Sequence, residues 1–187
     1  MDGPDYEVRE LLSRLRKESL DSYVPLIDAE DGAALATLAF MAPGGLIVDL
    51  GAGVGYSTLW LAIGARGRSG ARIVAVEWDP DLAQVLARNA AAIERVTGVR
   101  VEVVNDDALE YLDSLPQEEL FSLAFVDIEK NQYPEALAKL VPRTRKGGVL
   151  AFHNAYFPPP PKSFYEMIKG YRHLVVPTPQ GLAVVVV

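Results

Sequence analysis

Cysteine is absent from the 187 residues, which excludes disulfides and thiolate metal sites. Basic residues are the minority, with 18 Lys and Arg against 25 Asp and Glu and a formal net charge of −7. A chain so balanced offers no broad surface for the phosphates of DNA or RNA. Long hydrophobic runs are lacking too: the closing LAVVVV falls far short of the ~20 residues a membrane-spanning helix needs and reads as a buried strand. The N-terminus carries no basic-then-apolar leader, so a cytoplasmic location is expected, with a small molecule as partner and neither nucleic acid nor membrane. What is present is a chain that is 50% hydrophobic and of one-domain length, enough to bury a full core.

Residues 1–42 read as two N-terminal helices, DYEVRELLSRLRKESL and DAEDGAALATLAFM, separated by Pro25. From residue 43 to 154, short β-branched runs (GLIVDLG, RIVAVEW, VRVEVVN, SLAFVD, GGVLAFHN) alternate with helical segments, the pattern of a parallel sheet with right-handed crossovers and helices on both faces. Residues 155–187 hold the stiff FPPPPK segment, a last helix, and HLVVPTPQGLAVVVV, two strands around a Pro/Gly turn that must pair antiparallel. The expected fold is therefore α/β and Rossmann-like, a doubly wound, mostly parallel seven-stranded sheet ending in an antiparallel hairpin.

VDLGAGVGYS, residues 48–57, leaves a strand and opens a helix, so its glycines let the backbone turn sharply and approach a ligand. The spacing Gly51, Gly53, Gly55 departs from the dinucleotide fingerprint, which places its third glycine three residues after the second. Asp49 would repel a pyrophosphate but accept hydrogen bonds from a cationic amine such as that of S-adenosylmethionine; the plain alternative is a tight turn with no ligand. Glu77 ends the second strand, about twenty residues on, where a carboxylate takes both ribose hydroxyls, and Trp78 beside it offers a face to adenine. Asp79, before Pro80, reads as a helix cap. After the third strand, one of Asp106 and Asp107 is expected to meet the adenine amino group and the other to cap a helix; the sequence leaves open which.

On VDLGAGVGYSTLWLA, VAVEWDPDLAQVLARNA, FVDIEKNQY, KGGVLAFHN and VVPTPQGLAVVV, the chain resembles the class I S-adenosylmethionine-dependent methyltransferases, and within them the caffeoyl-CoA and catechol O-methyltransferase family, from about Leu26 to Val187. The resemblance implies cofactor contacts from Asp49, Gly51, Ala52, Gly53, Tyr56 and Ser57, from Glu77 and Trp78, from Asp106, Asp107 and Ala108, and from Asp127. It also implies that Asp127 binds a divalent cation and that Lys130, three residues on, is the base toward the acceptor hydroxyl. The physical logic stands beside the name. Methyl transfer to oxygen needs an oxyanion, and a phenolic hydroxyl has a pKa of about 10, which a cation lowers while an amine takes the proton. The plain alternative is a Lys130 that merely pairs with Asp127 or Glu129.

The family's remaining metal ligands are an Asp-Asn pair after the fifth strand, and here His153 and Asn154 stand in their place. Imidazole suits manganese, iron or zinc better than magnesium. Asp127, His153 and Asn154 therefore either bind a softer divalent ion or belong to a site that has lost its metal, with His153 a base or a structural histidine. The acceptor side is shorter than in relatives; Tyr156, Phe157, Phe164 and Tyr165 are candidates to flank a flat acceptor, although the spacing of Phe164, Met167 and Ile168 also suits core. The function expected is O-methyl transfer to a small, catechol-like hydroxyl with help from a divalent cation. The alternatives are a metal-independent small-molecule methyltransferase or a non-catalytic S-adenosylmethionine-binding module; a nicotinamide-dependent oxidoreductase fits the glycine spacing poorly. The resemblance implies that a homodimer is common, and residues 32–42 form an apolar helix able either to serve as its contact or to pack on its own sheet.

Overall fold

The computed structural model describes residues 4–118 and 120–187. Two helices, α1 (Pro4–Asp21) and α2 (Ala29–Met41), precede the alternation β1 (Leu46–Leu50), α3 (Tyr56–Ala65), β2 (Arg72–Glu77), α4 (Pro80–Thr97), β3 (Arg100–Asn105), α5 (Ala108–Ser114), β4 (Phe121–Val126), α6 (Tyr133–Leu140), β5 (Thr144–Phe152), α7 (Lys162–Ile168), β6 (Arg172–Val176) and β7 (Leu182–Val186). The seven strands form one sheet in the order β3-β2-β1-β4-β5-β7-β6. The first five run parallel and β7 joins β5 and β6 antiparallel, as the sequence pattern predicts.

Strand alternation divides the core in two. Ile47, Ile73, Ala75, Leu123, Phe125 and Ala151 pack under α1 to α4, while Val48, Leu50, Val76, Ala124, Val126, Leu150 and Phe152 pack under α5 to α7. Helix α2 lies close on α3: a Cβ at Gly64 would sit 1.9 Å from the Ala36 carbonyl oxygen, so only glycine permits that approach. Asp31, Gly32, Leu35 and Ala39 of α2 are buried in this way, while Phe40 and Met41 at its end are exposed. Among the described residues, no helix is long and apolar enough to cross a membrane.

The register places the site. Leu50, Val126 and Phe152 are partners across β1, β4 and β5. One residue further along, Asp127 and His153 therefore leave neighbouring strand ends on the same face, the one covered by α2.

Candidate active site

The loop between β1 and α3 is held by amides of Gly51 and Ala52, both donating to the Val76 carbonyl at 3.0 Å. Gly51 has φ +87°, and a Cβ there would lie 2.3 Å from the Asp127 carbonyl oxygen. Glycine is needed on both counts, because the first strand's exit presses against the fourth's. The Glu77 carboxylate ties this loop to the next, accepting from the Gly53 amide at 2.8 Å and the Asp79 amide at 3.0 Å. A carboxylate offers about four lone-pair directions, so Glu77 keeps capacity for a ligand's hydroxyls. The Asn105 side chain donates to the Glu77 and Trp78 carbonyls at 2.8 and 3.0 Å, which fixes the turn that carries Trp78, itself 71% exposed.

Of Asp106 and Asp107, the geometry shows which caps the helix. Asp107 caps α5, accepting from the Leu109 and Glu110 amides at 2.8 and 3.3 Å. Asp106 caps no helix and accepts the Asp107 amide at 2.9 Å through one oxygen. Asp79 caps α4 with Pro80 in its first turn, as expected.

These residues line one cleft of about 820 Å³, within the usual size of a small-molecule site. Gly51, Ala52, Gly53, Tyr56 and Ser57 form one wall. Glu77, Trp78, Asp106, Asp107 and Ala108 form the next, and Asp127, Lys130, His153 and Asn154 the far end. The segment from Ser22 to Ile27, with Gln132, Pro158 and Gln180, completes the rim.

Asp49 departs from the expectation. It is fully buried and off the cleft surface, because alternation turns it from Val48 and Leu50 toward α3, where one oxygen accepts from the Ser57 and Thr58 hydroxyls at 2.8 and 2.6 Å. Its other oxygen has no partner. Burial, only partly offset by those two hydroxyls, pushes its pKa up to about 7.

At the far end, four side chains of alternating charge stand in a row. Lys130 Nζ donates to Asp127 Oδ1 at 2.6 Å and to the Ile128 carbonyl at 3.1 Å, from a 3₁₀ turn spanning Lys130–Gln132. Asp127 Oδ2 lies 3.1 Å from His153 Nδ1. His153 Nε2 lies 3.4 Å from Asp31 Oδ2, an ion pair rather than a well-formed hydrogen bond. His153 is 2% exposed and Asp31 fully buried. Burial alone would lower the imidazole, but the Asp127 hydrogen bond and the charges of Asp127 and Asp31 outweigh it and raise the pKa to about 9. Burial would likewise raise the two acids, but His153, helped by Lys130 at Asp127 and by Thr178 at Asp31, holds both below the usual carboxylate range. Tyr133 fixes the strand ends that carry this row, its hydroxyl donating to the Val126 and His153 carbonyls at 3.1 and 3.0 Å.

The three expected metal ligands, Asp127, His153 and Asn154, come together at the far end of the cleft. Both His153 nitrogens face carboxylates, while the Asn154 amide nitrogen donates to the Phe157 carbonyl at 2.8 Å and Gln180 Oε1 at 3.2 Å, which leaves its Oδ1 free. Among the described residues, no three His, Asp or Glu side chains converge in the manner of a metal site. Of the candidate acceptor-side aromatics, Phe164 belongs to the core, stacked edge-on against Phe152 and Tyr133, and Tyr165 donates to the Ala155 carbonyl. Tyr156 and Phe157 are exposed.

Residues 4–158 match the sequence profile of the family described as O-methyltransferase. The chain belongs to that family. Among O-methyltransferase relatives, the probable O-methyltransferase Rv1220c of Mycobacterium tuberculosis is 28% identical over 145 residues, 78% of this chain and 63% of its own. The chain thus spans just under two thirds of the length of the curated relatives it matches. The O-methyltransferase TomG from Streptomyces achromogenes, involved in tomaymycin synthesis and solved with S-adenosylmethionine, is 25% identical with a TM-score of 0.78, covering 95% of this chain and 89% of TomG. The O-methyltransferase of Bacillus cereus, solved with S-adenosylhomocysteine, shares the fold with a TM-score of 0.78 at 22% identity, covering 95% of this chain and 91% of its own.

Two residues at the far end of the cleft escape sequence reasoning. Asp31 sits on α2, remote in sequence; its one signal is an acid in the stripe Asp31, Leu35, Ala39, all buried at helical spacing. Tyr133 reads as an ordinary helix-opening aromatic, and nothing in the sequence marks its bridging role.

Proposed function

We propose that the protein transfers the methyl group of S-adenosylmethionine to a hydroxyl of a small, catechol-like acceptor. The observation that carries this reading is the single cleft joining the glycine loop, Glu77, Trp78 and Asp106 at one end to Lys130 at the other. The nucleoside lies along the first end, its ribose hydroxyls on Glu77, its adenine against Trp78 and its amino group toward Asp106. The backbone around Gly51 and Gly53 gives the methionine part room to pass toward Asp127.

The acceptor enters from the rim between the Ser22 to Ile27 segment and Pro158. Lys130, once its ammonium has released a proton to solvent, takes the proton of the acceptor hydroxyl. The oxyanion then attacks the methyl carbon in line, the carbon–sulfur bond breaks with its electrons on sulfur, and S-adenosylhomocysteine and the methyl ether remain. The ammonium so formed is held by Asp127 and the Ile128 carbonyl. Orientation and electrostatics supply most of the rate in such a transfer.

A divalent cation of the kind the family implies does not fit these residues. The imidazole that replaces the family's Asp faces Asp127 at 3.1 Å and Asp31 at 3.4 Å, and a ring nitrogen is a poor ligand for the hard cation an Asp would hold. No step here is routed through a metal, and metal-independent transfer is the form of the reaction these residues support. The test is calorimetric titration of S-adenosylmethionine, then methylation of a catechol panel in EDTA. Cofactor binding with catechol turnover supports the proposal; a protein that binds no S-adenosylmethionine contradicts it.

A further inference from the structure

Two side chains at the far end of the cleft have no part in moving the methyl group: Asn154, just beyond β5, and Gln180, in the turn between β6 and β7. Both line the cleft. One hydrogen bond joins their side-chain amides, Asn154 Nδ2 donating to Gln180 Oε1 at 3.2 Å, and the same Nδ2 donates to the Phe157 carbonyl at 2.8 Å. A backbone carbonyl only accepts, so the Phe157 contact fixes which end of the Asn154 amide is nitrogen. Gln180 must then turn its oxygen, not its own NH2, toward that nitrogen. Asn154 Oδ1 and Gln180 Nε2 are left over, an acceptor and a donor. Among the described residues neither has a hydrogen-bond partner, and neither is enclosed.

The backbone holds this pair in place. Asn154 has φ +55°, in the left-handed region that asparagine tolerates better than most side chains, and backbone strain of this kind gathers at functional sites. The turn that carries Gln180 is tied to the exit of β5 by the Tyr156 amide, donating to the Gln180 carbonyl at 2.8 Å, and by the Ala155 amide, donating to the Gly181 carbonyl at 2.9 Å. An uncharged acceptor next to an uncharged donor selects its ligand by exclusion. A carboxylate or phosphate would set its oxygens against Oδ1, and an ammonium would set its hydrogens against those of Nε2. A methoxy oxygen accepts from Nε2 but has no proton for Oδ1. A hydroxyl both gives and accepts. The pair also stands beside the reacting end of the cleft: Asn154 follows His153, whose ring contacts Asp127, which in turn holds Lys130.

We propose that Asn154 and Gln180 form the subsite for a second hydroxyl of the acceptor, next to the hydroxyl that Lys130 deprotonates. The second hydroxyl donates to Asn154 Oδ1 and accepts from Gln180 Nε2, so the two residues determine that the acceptor is a neutral vicinal diol of the catechol kind. The identity of the first hydroxyl rests on the methyl-transfer reading above; recognition of the second needs no chemical step. The monomethylated product fits poorly when turned round, because its methoxy oxygen then faces Oδ1 without a proton, and transfer stops at one methyl group.

Calorimetric titration of catechol, phenol and 2-methoxyphenol into the protein loaded with S-adenosylhomocysteine, in EDTA, tests the subsite without turnover. Catechol is expected to bind roughly 10–100-fold more tightly than either of the others, the worth of two uncharged hydrogen bonds. Gln180→Leu and Asn154→Gly, the latter keeping a residue suited to positive φ, are each expected to cut that ratio roughly three- to tenfold, and the double variant to abolish it. Binding of S-adenosylhomocysteine reports that a variant has folded, and Gln180→Leu, at a half-buried position, carries the test if Asn154→Gly does not fold. Equal affinities in the wild-type protein, a ratio unmoved in folded variants, or a preference for catechol that appears only with manganese overturns the proposal. A wild-type protein that binds no S-adenosylhomocysteine would instead defeat the methyl-transfer reading, and the ratio of catechol to phenol affinity on the cofactor-free protein would then decide the subsite.

Discussion

Lys130 and Asp49 are the residues at which single side chains decide most. If Lys130 takes the acceptor proton, Lys130→Ala lowers kcat by roughly 10²–10⁴-fold, the usual worth of a general base, and leaves cofactor affinity within about twofold. Steady-state kinetics beside calorimetry separates the two, and unchanged turnover would remove Lys130 from the chemistry. Asp49 makes a prediction about stability. Its folded pKa of about 7 lies above the ordinary 3.8, so between those values the folded state holds a proton that the unfolded state has released. Stability from this group therefore falls as pH rises from about 4 to about 7 and is level beyond, a loss on the order of 4 kcal/mol. Asp49→Asn keeps an acceptor for Ser57 and Thr58 and removes that slope. Denaturant titrations at pH 5 and pH 8 are expected to show the variant's advantage growing at the higher pH; parallel curves would count against it.

Among the elements, the turn from β1 into α3 carries the greatest constraint, because it must clear the end of β4 while presenting amides to the cleft. Gly51→Ala places a methyl 2.3 Å from the Asp127 carbonyl oxygen at φ +87°, and destabilisation of about 2–4 kcal/mol is expected from strain and clash together. A denaturation midpoint equal to wild type would contradict the close approach. The elements were also the most legible part of the chain. Each parallel strand announces itself as a β-branched run, each crossover helix by its spacing and caps, and the hairpin by PTPQG. What stayed hidden was where side chains point. Asp49 reads as a cleft residue from its place in VDLGAG, yet alternation along β1 turns it beneath α3. His153 reads as a metal ligand from its place after β5, yet the carboxylate on its far side comes from α2, and no local pattern encodes a contact so distant in sequence.

At the scale of the whole molecule, the cleft draws its walls from both core layers and from the N-terminal segment, so occupancy is expected to stabilise the fold as a unit. Cofactor at 100 times its dissociation constant adds about 2.7 kcal/mol, which for a domain of this size raises Tm by roughly 5–10 °C. A melting curve unmoved by saturating S-adenosylmethionine would mean the cleft is not its site.

Transfer of a radiolabelled methyl group from S-adenosylmethionine to a catechol, carried out by the full chain in EDTA with Lys130→Ala alongside, is the most direct measurement. Label in the catechol with the wild-type protein and its loss in the variant is the predicted result. Bound cofactor with no label moved, or label moved only when manganese is added, would contradict a cleft that works with its own lysine.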